Sequence, residues 1–201
     1  VVSGDPVNIL IRADAWATRQ VLGACAALGY EDFHRVFPMG IGSLHDTLVH
    51  TISATRRWTD RVADRPPRPW MYTTRSARSS GVSDAEAREY SVAALLALVD
   101  DAEADALAVV REWSTRLDTT VHAEWPSGPG GGLMRYTFSR GAVVMHMCTH
   151  GFHHRAQCLN MLRQLGEAGA PGVPASLPET SVTSWQAAIE APPVLVVKAE
   201  T

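Results

Sequence analysis

The residues best suited to chemistry lie in one stretch, His146-Met-Cys-Thr-His150-Gly-Phe-His153-His154-Arg155-Ala-Gln157. Residues four apart on an α-helix stand one turn apart on the same face, so His150 and His154 can aim two imidazoles at one cation. Neutral imidazole is a good ligand for zinc and neighbouring divalent metals. Val143, Met147, Cys158, Met161 and Leu165 mark the apolar stripe of this segment, and both histidines fall inside it. His146 and His153 lie roughly 100° from its centre. Two buried imidazoles without partners would cost roughly several kcal/mol, so something must satisfy them. A metal does so; hydrogen bonds in a polar core, or exposure of both rings, are the competing readings. Gly151 and Phe152 lie between the pair, without the glutamate of His-Glu-x-x-His, which disfavours a zincin-type hydrolase.

Two ligands are too few for a tight site, so another element must supply a third. His45 and His50 stand on an expected helix, while His34 and His122 fall in expected loops. Helical periodicity does not choose between the first two. His50 lies off the main apolar face, beside Thr47, Ala54 and Trp58. Around the histidines, Arg155 could bind an anion or close a salt bridge, the second being favoured. Gln157 could orient a ligand or simply join helices, and His153 could shuttle protons but is expected to be exposed. Cys148 and Cys158 read as small buried side chains. Trp58 reads as core, Asp46 as part of a helix start, and Trp70 and Tyr72 as loop packing or a pocket lid.

These groups need helices to position them. Apolar spacing and stop signals predict helices over 7–29, 43–64, 84–100 with a continuation or restart over 101–118, and 140–165. Asp5-Pro6, Ser43 with Asp46, Ser83 with Glu86, and Ser139 supply the starts; Gly29 and Gly166 supply two of the ends. Residues 65–82 read as a long loop after Arg65-Pro-Pro-Arg-Pro. Short strands over 119–125 and 133–138 would flank Pro126-Ser-Gly-Pro-Gly-Gly-Gly132, giving a β-hairpin before the last long helix. The pattern predicts an all-α, up-and-down four-helix bundle. A helical domain over 1–170 and a Pro-rich extension over 171–201, packed on the same domain, are expected. The run Pro192-Pro-Val-Leu-Val-Val197 suits an edge strand or an extended arm.

Composition limits the function. A formal net charge of −3 offers no general attraction to nucleic acid or anionic lipid. Arg56, Arg57 and Arg61 form only a small basic group. Cys25, Cys148 and Cys158 make no disulfide framework, and a soluble, cytoplasmic protein without a signal peptide or membrane span is expected. There is no phosphate-cradling glycine loop.

Asp14-Ala-Trp16, then Gly42-Ser-Leu-His-Asp-Thr-Leu-Val-His50, then His150-Gly-Phe-His-His-Arg-Ala-Gln157 with Met161-Leu-Arg-Gln-Leu-Gly166, occur in an order that resembles the DinB/YfiT-like superfamily of metal-binding bundles. The resemblance covers roughly residues 7–166. It implies His50, His150 and His154 as the ligands of one divalent ion, zinc or nickel, with water completing the coordination. Ala156 stands where the family motif carries glycine, which leaves the ligands intact. Related enzymes transfer low-molecular-weight thiols to electrophiles or use them in isomerisation, so a thiol S-transferase is the leading expectation. A metal-dependent hydrolase and a metal-stabilised binding or stress-response protein without turnover are the alternatives. A further likeness to ergothioneine-pathway sulfoxide synthases implies iron as another metal. The resemblance also implies a homodimer.

Overall fold

Each long helix begins at a side chain able to cap it. In a computed structural model describing residues 4–81, 83–127 and 131–192, helix α1 spans Pro6–Cys25, with the Asp5 carboxylate accepting the Val7 N–H at 3.0 Å. After the short α2 (Tyr30–Phe33), helix α3 (Leu44–Val62) starts at Ser43, whose hydroxyl accepts the Asp46 N–H at 3.0 Å. The same hydroxyl donates to the Asp46 carboxylate at 2.9 Å. Helix α4 (Thr74–Ser79) lies within the expected loop over 65–82. Helix α5 covers Val92–Trp113 and α6 covers Arg140–Glu167, capped by Ser91 and Ser139. Between them, strands β1 (Thr120–Pro126) and β2 (Leu133–Ser139) pair antiparallel, Thr120 opposite Ser139. Helix α7 (Val182–Ile189) follows the Pro-rich segment.

The fold is therefore all-α with one short hairpin before a long helix. It holds seven helices among the described residues, more than the simple four-helix bundle predicted. Helices α1 and α3 each pack principally on α5 and α6. The first and second long helices are thus diagonal partners rather than neighbours, and so are the third and fourth. The connections over 26–43 and 114–139 carry α2 and the hairpin, which lets them cross the bundle instead of turning tightly.

Several boundaries differ from the sequence reading for local reasons. Ser83 and Glu86 open only a single 3-10 turn, Asp84–Glu86. A bridge between Tyr72 and Ala87 then holds the chain extended, and the long helix waits for Ser91. That helix ends at Trp113, short of 118. Helix α6 runs through Gly166, and Gly169 supplies the left-handed turn instead, with φ +74°. Helix α7 was not expected; it packs on α1 and buries Trp185. The run after Pro192 lies outside the described residues.

Apolar burial is divided into two clusters. One gathers Leu22, Leu44, Leu48, Leu95, Met161 and Leu165; the other gathers Ile11, Val62, Val109, Val110, Val144 and Met147. On α6 the second cluster ends at Cys148 and the first resumes at Cys158. The polar stretch from His150 to Gln157 occupies the interval between them. No helix among the described residues is long and apolar enough to cross a membrane.

Candidate metal centre

The gap between the two core clusters is where α3 brings a histidine to α6. His50 sits two turns into α3, and its Nε2 lies 3.2 Å from Nε2 of His150. The His154 Nε2 lies 3.1 Å from the same atom. All three ligand nitrogens fall within 4.8 Å of one another. Two nitrogens each about 2.05 Å from a tetrahedral ion stand roughly 3.3 Å apart, so the two separations from His150 fit a zinc-sized cation.

The hydrogen-bond network supports the same reading. The His154 Nδ1–H donates to the Gln157 Oε1 at 2.8 Å, which leaves Nε2 as a lone pair facing inward. With the amide so turned, its nitrogen donates to His153 Nε2 at 2.9 Å. The His150 Nε2 faces both other rings but carries at most one proton. It cannot make a hydrogen bond of correct polarity to each as a donor and as an acceptor at once. A shared cation satisfies all three lone pairs.

Electrostatics keep the rings in the ligand form. Burial, and then the neighbouring His154, lower the pKa of His50 to about 4. Burial followed by the surrounding histidines lowers that of His150 to about 3. Burial also lowers His154, against the opposing effect of Gln157. All three are neutral at pH 7, the state a metal requires.

One member of the cluster borders a cavity. His50 lines a cavity of ≈ 220 Å³ with Ile41, Val49, Trp70, Met71 and Tyr72. Trp70 stacks on His50 at 5.9 Å with 9° between planes, and Arg57 lies over the Trp70 ring at 4.6 Å. The loop carrying Trp70 is tied down by Asp60, which is almost completely buried. Asp60 accepts from Arg65 Nε at 2.6 Å and from the Arg68 backbone N–H at 2.7 Å. Burial pushes the Asp60 pKa up, but the bonds from Arg68 and Arg65 outweigh it and hold the carboxyl below its usual range.

This chain belongs to the DinB family.

The family model matches residues 5–173, most of the chain. No curated protein matches it. For a DinB chain, the remaining sequence candidates sort clearly. His45 is buried away from the cluster and accepts the Tyr90 backbone N–H at 3.3 Å. His34 caps α2, and His122 lies on β1 beside Thr137, not in a loop. Arg155 closes the favoured salt bridge, to Asp14 at 2.5 Å. Gly151 makes this approach feasible, since a Cβ there would meet the Asp14 carboxylate at 2.4 Å. His153 is exposed, as expected, yet it holds the Gln157 amide. Burial pushes the thiols of Cys148 and Cys158 up to about 12, so neither is a ready nucleophile at neutral pH. Arg56, Arg57 and Arg61 turn to the Met71 sulfur, the Trp70 ring and the Trp58 ring.

Of the two roles open to Gln157, orienting a ligand or joining helices, the structure shows the first, through its bond to His154 Nδ1. One contributor is not marked by any motif. Gly40 was read only as part of a turn. Its φ is +53°, and a Cβ there would come within 2.3 Å of the Gln157 Oε1. The α2–α3 connection thus forms a notch for that amide. The one available signal was a glycine in a turn, which many loops share.

Proposed function

We propose that the protein is a divalent-metal-dependent enzyme that transfers a low-molecular-weight thiol to an electrophile. His50, His150 and His154 would hold the ion, zinc or nickel, within a DinB-type four-helix frame over about residues 1–170, elaborated by short helices. The observation that carries the reading is three convergent, neutral imidazoles beside an open cavity. A structural zinc site is closed by four protein ligands, whereas a catalytic one keeps a position free. Among the described residues the cluster has three members.

A bound divalent ion supplies Lewis acidity that lowers the pKa of a thiol or water placed beside it. The protein's own residues do the rest. Gln157 holds His154 in the tautomer that points Nε2 inward, and burial keeps the rings unprotonated. Trp70, Met71 and Tyr72 wall the cavity in which the thiol would lie. In the reaction, the thiol releases its proton to solvent at the cavity. Its sulfur pair forms the new sulfur–carbon bond, and the leaving group departs with the pair from the broken bond.

The test combines metal content with turnover. Purified protein should carry about one divalent ion per chain by elemental analysis. Zinc- or nickel-loaded protein should conjugate N-acetylcysteine to 1-chloro-2,4-dinitrobenzene. The His150→Ala variant, with an unchanged circular dichroism spectrum, should lose both ion and activity. Metal without transfer, but with hydrolysis of an activated ester, would replace the transferase by the hydrolase. Metal with neither activity would support the non-catalytic alternative.

A further inference from the structure

The groove between α3 and α6 continues beyond the three histidines. Steps of four residues along α6 lead from His154 to His150, His146 and Ala142. Matching steps along α3 lead from His50 to Ala54 and Trp58. Their rings form a continuous row: His154 to His150 at 4.4 Å, His150 to His146 at 5.4 Å, and His146 to Trp58 at 5.3 Å between centroids. The row ends at an open pocket of ≈ 470 Å³ lined by Trp58, Trp125, Phe138, Ala142, Val143 and His146.

The walls of this pocket are aromatic rings braced by other rings. Phe138 and His146 meet Trp58 edge-on, with 82° and 77° between planes. Trp125 lies 5.8 Å from Trp58 and rests T-shaped against Tyr136 at 5.0 Å. Arg61 stands over Trp58 at 4.8 Å. His146 is the one ionisable side chain among the lining residues, and it stands at the end nearer the metal centre. A concave, mostly apolar surface with one polar group at its edge is the usual form of a small-molecule site. Ring walls of this kind favour a flat partner that can stack or meet them edge to face. Ordinary core formation does not need such a cavity, because Trp58 and Phe138 already pack against the apolar cluster at that end of the bundle.

We propose that this pocket binds an aromatic or similarly flat apolar group of the substrate, placing its reacting atom toward His150. One helical turn separates His146 from His150, about 6 Å along the axis, which a small molecule can span. The orientation rests on the transferase reading; binding in the pocket does not. In that reading the electrophile carries the aromatic group, while the thiol occupies the cavity beside Trp70. Trp58, Trp125 and Phe138 then select the electrophile, with the hairpin serving as one wall of its site.

The test uses N-phenyl-1-naphthylamine, a fluorescent apolar probe, titrated into zinc-loaded and chelator-treated protein. Saturable binding of about one probe per chain, unaffected by metal removal, is expected. Ala142→Phe fills the pocket from an exposed helix position without deleting a wall, and should weaken binding about tenfold or more. Trp125→Ala should weaken it similarly. Wild-type affinity in both variants, or no saturable binding to the wild type, would overturn the proposal. A wild type that excludes the probe and is dimeric, but becomes monomeric in Ala142→Phe, would overturn it by showing a second copy in the pocket. Probe binding without thiol transfer would retain the pocket and reject the transferase. Transfer without probe binding would do the reverse.

Discussion

At the scale of single residues, the histidine cluster depends on a neighbour that touches no ion. Gln157 accepts the Nδ1–H of His154 and is itself seated against Gly40. Loss of such a partner to a ligating histidine costs about 10–100-fold in metal affinity. Gln157→Ala should show a loss of that order in a competition titration with a chromogenic chelator. Gly40→Ala should also weaken binding, by displacing the amide. Unchanged affinity in both would remove the positioning role. The histidines also set a pH dependence. In the unfolded chain they titrate near the ordinary 6.5, but in the fold His50 and His150 titrate near 4 and 3. As pH falls, the unfolded state takes up protons first, so stability is full above about 6.5 and is lost progressively toward about 3. The melting temperature of metal-free protein should therefore drop between pH 7 and 4.5. A His50→Asn, His150→Asn double variant should show a shallower drop, and equal slopes would contradict the assignment.

At the scale of elements, α1 and α6 are joined through charge within the apolar gap. Arg155 donates to the Asp14 carboxylate and, at 3.2 Å, to the Thr18 hydroxyl. Burial raises the Asp14 pKa, while Arg155 pulls it down. Removing one member leaves the other enclosed without its partner, at a cost of about 3–5 kcal/mol. Asp14→Ala and Arg155→Ala should each lower stability by that amount in urea unfolding. The Asp14→Leu, Arg155→Met double replacement should recover much of the loss. No recovery would mean that Arg155 or Asp14 has a further role beyond the ion pair. The sequence showed these elements well where the information is local. Asp5, Ser43 and Ser139 cap the helices expected to start there, and the hairpin strands fall within one residue of their expected limits. It misplaced the start of α5 because a capping pattern at Ser83 is only a local preference. The Tyr72–Ala87 bridge, made by distant residues, overrides it.

At the scale of the whole molecule, an ion held between α3 and α6 would join two elements separated by about 100 positions in the chain. Free metal at 100 times its dissociation constant stabilises the fold by about 2.7 kcal/mol. For a chain of this length each kcal/mol raises the melting temperature by about 2–4 °C. Zinc or nickel should therefore raise it by about 5–11 °C in the wild type and by far less in His50→Ala. A similar rise in both would place the ion elsewhere.

The sequence alone determined the long helices, apart from the shifted start of α5, the hairpin and the fact that His150 and His154 share a face. Backbone hydrogen bonding sets the rise and rotation per residue, so a four-residue spacing has one geometric meaning. The resemblance implied His50 where helical spacing left the choice open, and only the tertiary structure shows its ring completing the cluster while that of His45 does not. Both lie on α3, and their helical positions say nothing about which neighbour each will face. That choice comes from the packing order of the long helices, with α3 against α6 and diagonal to α1. It is the summed result of many weak apolar contacts and two long crossing connections, which no local spacing encodes.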